Sequence, residues 1–170
     1  GMHAKAADCS NWTIQSFNLN MSNAYLKGAN FEEIILESGR EEITFAQANL
    51  VRASFKNAKS MIGGSVSPIA MNGADLRHAS FKGALNMTYV DFTYGGSIFD
   101  PIITKMDHAD FRGANISETN FGGVVNRRGR VEGASLRNAD FSNPAKDEKI
   151  RIRNTDFFNA DLTNANFSDA

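Results

Sequence analysis

The sequence predicts a short-period solenoid, and three observations carry that prediction. First, Thr155 to Ala170 reads as three consecutive five-residue units, each a small residue, an acid or amide, a large apolar residue and two polar residues. Phe157, Leu162 and Phe167 form the apolar column there, with Thr155, Ala160 and Ala165 two places ahead of them. Neither a 3.6-residue period nor strict alternation generates this spacing, whereas a fixed short self-similarity marks stacked repeats. Second, ten of the 13 phenylalanines keep one phase: Phe31, Phe45, Phe55, Phe81, Phe92, Phe111, Phe121, Phe141, Phe157 and Phe167. Third, Gly or Asn recurs two places after the column residue, at Gly28, Gly73, Gly83, Gly113, Gly133, Asn57, Asn138, Asn159 and Asn164. A chain that turns there with positive φ tolerates those two residues best.

These residues resemble the pentapeptide-repeat family, whose unit is Ala, then Asp or Asn, then Leu or Phe, then any two residues. The resemblance implies an all-β fold, a right-handed four-sided parallel β-helix in which one unit forms a side and four units a coil. About 30 sides then give about seven to eight coils, a rod on the order of 35 Å long at ~4.8 Å per coil.

Taken in order, residues 1–20 do not keep the phase. Trp12 and Phe17 are five apart and suit a first side, but Leu19 and Met21 shift the count, so the segment reads as an N-terminal cap or irregular first coil. Residues 21–170 read as the solenoid. The column runs Met21, Leu26, Phe31 and Leu36, loses one residue before Phe45, and continues through Leu50 and Phe55. It gains a residue before Met71, near 61–64, continues through Leu76 and Phe81, gains another before Met87 and reaches Phe92. Phe92 to Phe99 and Phe99 to Met106 are each two residues over the unit, which predicts a protruding loop near 93–105 with Gly95, Gly96 and Pro101 as its turn residues. Met106, Phe111, Ile116 and Phe121 are regular. A second interruption covers 122–130, with Asn126 in an apolar place, before Val131, Leu136 and Phe141 restore the column. A third covers 142–150, and Ile152 leads into the last three units. The inward column is the predicted core, at roughly 1.5–3 kcal/mol per fully buried side chain.

Composition limits the function. A formal charge of −1 excludes a strongly basic nucleic-acid binder and a strongly acidic surface alike. Cys9 is the single cysteine, so there is no intramolecular disulfide and no Cys-rich zinc site. No apolar run has the length of a membrane span or a secretory signal, and Gly1 ahead of Met2 reads as an expression remnant. A cytoplasmic protein is expected, with an exported bacterial effector, or a fragment of one, as the alternative.

The residues that invite a chemical role have plainer readings. Asp75, Asp91, Asp110, Asp140, Asp156 and Asp161 precede column residues, where the unit itself demands a short polar side chain. His78 and His108 fall at exposed corners, and no two histidines have metal-ligand spacing. Asp107, His108 and Asp110 are neighbours in sequence, but adjacent positions at a corner point to different sides. Asn-x-Ser/Thr matches such as Asn115-Ile116-Ser117 arise from the repeat. No catalytic, cofactor or metal residue is expected, and no enzymatic activity.

What remains is a scaffold for an unidentified protein partner. Glu32, Glu33, Glu37, Glu41 and Glu42 make the N-terminal part acidic, whereas Arg127, Arg128, Arg130, Lys146, Lys149, Arg151 and Arg153 make a later stretch basic. Arg127, Arg128 and Arg130 are the candidate partner contacts, because binding concentrates in loops on rigid scaffolds. Leu162 and Phe167 are the candidate contacts of a homodimer joined through its C-terminal coils. Direct nucleic-acid binding and membrane insertion are not expected. The family resemblance implies one alternative, a DNA mimic that binds or protects a type II topoisomerase as quinolone-resistance members do, for which a continuous acidic face is required.

Overall fold

A five-residue unit becomes a side and a corner through one recurring turn. The carbonyl of the inward residue accepts a hydrogen bond from the N–H three residues on, as in Leu26–Ala29 (3.0 Å), Phe55–Ala58 (3.1 Å) and Leu136–Ala139 (3.0 Å). The residue between, two places after the column, has positive φ: 70° at Gly28, 54° at Asn57 and 55° at Asn138. That combination is a type II β-turn. The residue that closes the turn is nearly always Ala because its Cβ lies inside the corner, and Ala29, Ala48, Ala58 and Ala114 are wholly buried.

In this computed structural model, which describes residues 7–15, 18–38, 40–64, 67–97, 100–126, 129–131, 133–142 and 150–170, the units stack in register. The strands in chain order are β1 (Thr13–Gln15), β2 (Leu19–Asn20), β3 (Ile35–Glu37), β4 (Ile43–Thr44), β5 (Ser60–Ile62), β6 (Ile69–Ala70), β7 (Val90–Asp91), β8 (Gly95–Ser97), β9 (Asp100–Ile102), β10 (Val124–Asn126) and β11 (Gly129–Val131). The second side of the solenoid is the parallel sheet β1-β3-β5 and the third is the parallel sheet β2-β4-β6-β7. The first and fourth sides are ladders of single parallel bridges. The first runs Asp8, Asn30, Ser54, Ser80, Asp110, Asp140, Asn166, and the fourth Tyr25, Asn49, Asp75, Lys105, Ser135, Asp161. The fold is therefore an all-β, four-sided parallel β-helix, and no helix occurs among the described residues.

The inward residues of the first side are Cys9, Phe31, Phe55, Phe81, Phe111, Phe141 and Phe167, each one place beyond a bridge of that ladder. Among the described residues this makes six coils and the first side of a seventh, a rod about 30 Å long at ~4.8 Å per coil. The expected seven to eight coils is an overcount.

The physical reason lies in the excursions. Every long one opens the unit at the same place, the positive-φ position, and leaves both flanking parts in register. Phe92-Thr93 continues at Thr104-Lys105-Met106, Phe121-Gly122 at Ala134-Ser135-Leu136, and Phe141-Ser142 at Ile150-Arg151-Ile152. Leu36-Glu37 likewise continues at Ile43-Thr44-Phe45, and Met61-Ile62 at Ile69-Ala70-Met71. Each interval is thus one side with a looped corner, where counting in fives finds two. Val131 is not a column residue; it pairs with Val124 in an antiparallel hairpin. Phe99 lies outside the described residues. The extra residue after Phe55 falls at Lys59, before Met61, and a matching one at Leu85 precedes Met87. Coils consequently lengthen from 22 residues at the N-terminal end to 30 in the middle, while the cross-section stays fixed.

The core is two aromatic stacks on adjacent-but-one sides. Along the first side the rings of Phe31, Phe55, Phe81, Phe111, Phe141 and Phe167 lie parallel at centroid distances of 4.6 to 5.0 Å. Along the third, Phe92, Phe121 and Phe157 also lie parallel, at 5.0 and 5.1 Å. The stacks meet edge to face across the interior, for example Phe111–Phe121 at 5.8 Å and 90°. Both arrangements suit the aromatic quadrupole, a ring edge meeting a ring face or parallel rings slipping past one another. Leu26, Leu50, Leu76, Met106 and Leu136 fill the fourth side and are buried.

At the N-terminal end, Cys9, Ile14 and Leu19 lie beneath Phe31, Leu36 and Ile43. Trp12, expected to start a side, is 45% exposed. It closes the turn from Cys9, with its N–H on the Cys9 carbonyl, and an indole is too large for that inward place. Phe17 lies outside the described residues.

Candidate interaction surface

The acids before the column residues are explained by the turn they precede. Each carboxylate or amide oxygen accepts the backbone N–H two residues on: Asp91 from Thr93 (2.9 Å), Asp140 from Ser142 (3.0 Å), Asp156 from Phe158 (2.8 Å), and the amide of Asn120 from Gly122 (2.8 Å). This satisfies a donor that the turn leaves without a backbone partner. Asp75 and Asp110 also hold their own arginines bidentately, Arg77 at 2.8 and 2.7 Å and Arg112 at 2.9 and 2.7 Å. Burial opposes ionisation of both carboxyls, yet the arginine and backbone bonds outweigh it and hold them below their ordinary range. Asp161 is lowered chiefly by its bonds from Thr163.

Asp107, His108 and Asp110 do not converge. Asp107 accepts from Ser135 Oγ at 2.5 Å and from Arg137 Nη2 at 3.3 Å, which together overcome its partial burial and lower its pKa. His108 stacks on His78, ring centroids 4.9 Å apart and planes 4° from parallel. Asp110 faces Arg112 on the next side. Among the described residues no three His, Cys, Asp or Glu side chains gather as a metal site. The His stack was legible in principle: Leu76 and Met106 are neighbouring rungs, so the residues two places after them must meet.

The feature that departs from repetition is the corner between the third and fourth sides. Two antiparallel hairpins leave it from consecutive coils, β8–β9 (Gly95 opposite Ile102) and β10–β11 (Val124 opposite Val131). Their bases are held by close backbone approach. A Cβ on Gly73 would come within 3.0 Å of Gly95 Cα, and one on Gly133 within 2.6 Å of the Phe121 carbonyl oxygen. Gly133 was expected to be a turn glycine; its φ is not positive, and lack of space is what requires it. A buried hydroxyl closes the gap beneath the first hairpin: Thr104 Oγ1 donates to the Thr93 carbonyl and accepts from Gly73 N–H at 2.6 Å. Ser38 plays the same part at the second-to-third corner, donating to the Ser67 carbonyl (2.6 Å) and accepting from Gly64 N–H (3.0 Å). Sequence reading missed both hydroxyls. Thr104 carries a signal, since it occupies the place that Ala takes in regular units.

Beside the hairpins the fourth side carries an open groove of about 650 Å³, charged along its floor by Arg77, Lys105, Asp107, Arg137 and Asp161. Exposed Ile102 and Phe158 stand at this corner, 41% and 49% accessible. Of the three candidate contact arginines, Arg127 and Arg128 lie outside the described residues, and Arg130 is in β11 opposite Val125. Leu162 and Phe167 pack against the core but are only half-buried, unlike their counterparts in earlier coils.

The ladders, type II corners and stacked rungs define a four-sided β-solenoid of the pentapeptide-repeat type. No family model and no curated protein matches the sequence. Among solved structures the chain is similar to HetL, a pentapeptide repeat protein involved in heterocyst differentiation regulation from the cyanobacterium Nostoc sp. strain PCC 7120, with 17% identity, 96% of this chain and 73% of that one covered, and a TM-score of 0.43. It is also similar to a trypsin-treated form of QnrB1, a plasmid-mediated fluoroquinolone resistance protein, with 17% identity, 97% of this chain and 65% of that one covered, and a TM-score of 0.36. At those scores the fold stands on the chain's own ladders.

Proposed function

We propose that this chain is a non-catalytic cytoplasmic scaffold that docks a protein partner on its third-to-fourth corner. The observation that supports the reading is the pair of hairpins leaving one corner from consecutive coils, mounted on a rigid rod and flanked by a charged groove. Excursions of 30-residue coils at a single edge give an otherwise repetitive surface its individuality, and loops on a stiff frame are where recognition concentrates. The sequence places the basic residues Arg127, Arg128 and Arg130 between Asn126 and Val131, a charge that suits an acidic partner. The reading includes no catalytic step. Replacing residues 94–103 with a single Asn, and 123–133 likewise, tests it. Capture of the native-cell partner should be lost with the fold intact, and undiminished capture by both variants overturns the proposal.

The charge pattern favours this reading over DNA mimicry. Among the described residues no outward row carries acids on more than two successive coils, and Arg112 and Arg137 each stand between two aspartates. The half-buried Leu162 and Phe167 suit a second copy of the chain, giving a homodimer that Phe167→Asp shifts toward monomer. Light scattering that finds no dimer at micromolar concentration removes that part.

A further inference from the structure

On the fourth side, the residue after the column is Lys27 in the first coil, Val51 in the second and Arg77 in the third. A short apolar side chain between two long cations, ~10 Å apart over two coils, leaves a depression one rung wide. Arg52 and His78, at the adjoining turn positions, form its rim. The resulting groove of about 250 Å³ is lined by Lys27, Val51, Arg52, Arg77 and His78, and none of these is an acid. We propose that this corner between the fourth and first sides, over the first three coils, binds a small phosphoryl-bearing anion between Lys27, Arg52, Arg77 and His78.

The argument is one of unmet charge. In the upper coils each arginine on this surface is matched by the chain itself: Arg112 lies between Asp110 and Asp140, and Arg137 between Asp107 and Asp161. Lys59 on another corner is paired with Glu33. Among the described residues neither Lys27 nor Arg52 has an ion-pair partner. Arg77 is held by Asp75 through Nε and Nη2, which fixes the guanidinium plane and leaves Nη1 for an outside acceptor, while Asp75 stays out of the groove lining.

Arg52 sits at the positive-φ turn position (φ +60°) that Gly28, His78, His108, Asn138 and Asn164 occupy in the other coils, so its side chain leaves the backbone from a fixed point on this corner. His78 lines the groove and is held flat against His108, which fixes the orientation of its ring.

The chemistry selects the ligand. Planar guanidinium groups match the oxygens of a phosphoryl group bidentately, lysine supplies a mobile point charge, and an imidazole N–H adds a directed donor. The volume corresponds to roughly eight waters, enough for a phosphate or a short chain of phosphates. The site shares Arg77 with the groove beside the hairpins, but its other lining residues are its own, and it stands whether or not a protein docks on the hairpins.

Tripolyphosphate is the probe, followed by calorimetry and by the ring resonances of His78 on the full chain, with inorganic phosphate as competitor. We expect saturable binding that shifts His78 and that phosphate displaces at higher concentration. Arg52→Asn and Lys27→Gln should each weaken binding at least fivefold, whereas Lys59→Gln leaves it unchanged. Asn suits the positive φ, so the first variant folds. Binding that does not saturate, that sodium chloride reproduces at equal ionic strength, or that survives Arg52→Asn undiminished overturns the proposal.

Discussion

The fourth-to-first and third-to-fourth corners are built from the same turn and have diverged in opposite ways. At the former, all six coils close identically, from Leu26–Ala29 to Leu162–Ala165, and only the outward side chains differ. At the latter, Met21, Phe45, Met71 and Phe157 start tight turns, but Phe92 and Phe121 open into hairpins. One corner varies in side-chain chemistry over a constant backbone, and the other varies in backbone over a constant core. A solenoid thus has two independent ways to individualise a surface. The first suits small charged ligands; the second supplies the reach a protein partner needs.

The comparison requires that both corners hang on one core, so the largest effect should come from within. Phe111→Ala, which empties a rung between two stacked rings and one edge-to-face ring, should cost about 3–5 kcal/mol in chemical denaturation. Arg112→Ala beside it, outward and paired at the surface, should cost under about 1 kcal/mol. Equal losses would mean that inward and outward have been confused.

Next come the corners themselves. Ala109→Leu forces a larger side chain into the invariant corner and should cost about 3 kcal/mol. Thr104→Val at the open corner removes the hydroxyl that bonds both the Gly73 N–H and the Thr93 carbonyl, leaves those two on their direct 3.2 Å bond, and should cost about 1 kcal/mol. By contrast, replacing residues 94–103 with one Asn rebuilds a regular unit from Phe92 to Met106 and should change stability by under about 1 kcal/mol. If that replacement unfolds the rod, the hairpin is part of the core and the contrast between corners fails.

The smallest effect is electrostatic and sharpens the difference between upper and lower coils. Asp75, Asp107, Asp110 and Asp161 all titrate below the ordinary carboxylate value of 3.8. A carboxyl whose folded pKa is depressed contributes stability that is complete above its unfolded value and disappears as pH falls through the folded one. The melting temperature should therefore hold steady from pH 7 to about 5 and decline below about 4. Arg137→Gln should blunt that decline, because Asp107 and Asp161 then lose the guanidinium between them. A decline that begins well above pH 5 overturns the assignment to these carboxylates.

The column and corners were legible because each inward residue and each positive-φ place leaves a mark on residue type: Phe or Leu inside, Gly or Asn at the turn. Coil number was not, because an excursion of nine or fourteen residues between column members mimics two or three units, and nothing in Asn126 or Val131 announces a hairpin. The contact surfaces were less legible still. His78 with His108, and Lys27 with Arg77, become neighbours only through rung-to-rung register, which depends on knowing every loop length between them. Thr104 and Ser38 look like ordinary polar residues until their buried hydroxyls are seen bridging the two ends of an opened corner.

The constant register has a consequence for how such a protein changes length. Ser54, Ser80 and Asp110 occupy one ladder, each followed by an inward phenylalanine on the same stack. Joining Ser80 directly to Phe111 would remove a whole coil, hairpin included, and present the next coil to its new neighbour with every bridge and ring in place. Gain or loss of material in this molecule is therefore quantised: the rod grows or shrinks by one storey at a time, and a recombination event at any rung of the ladder yields a chain already built to stack.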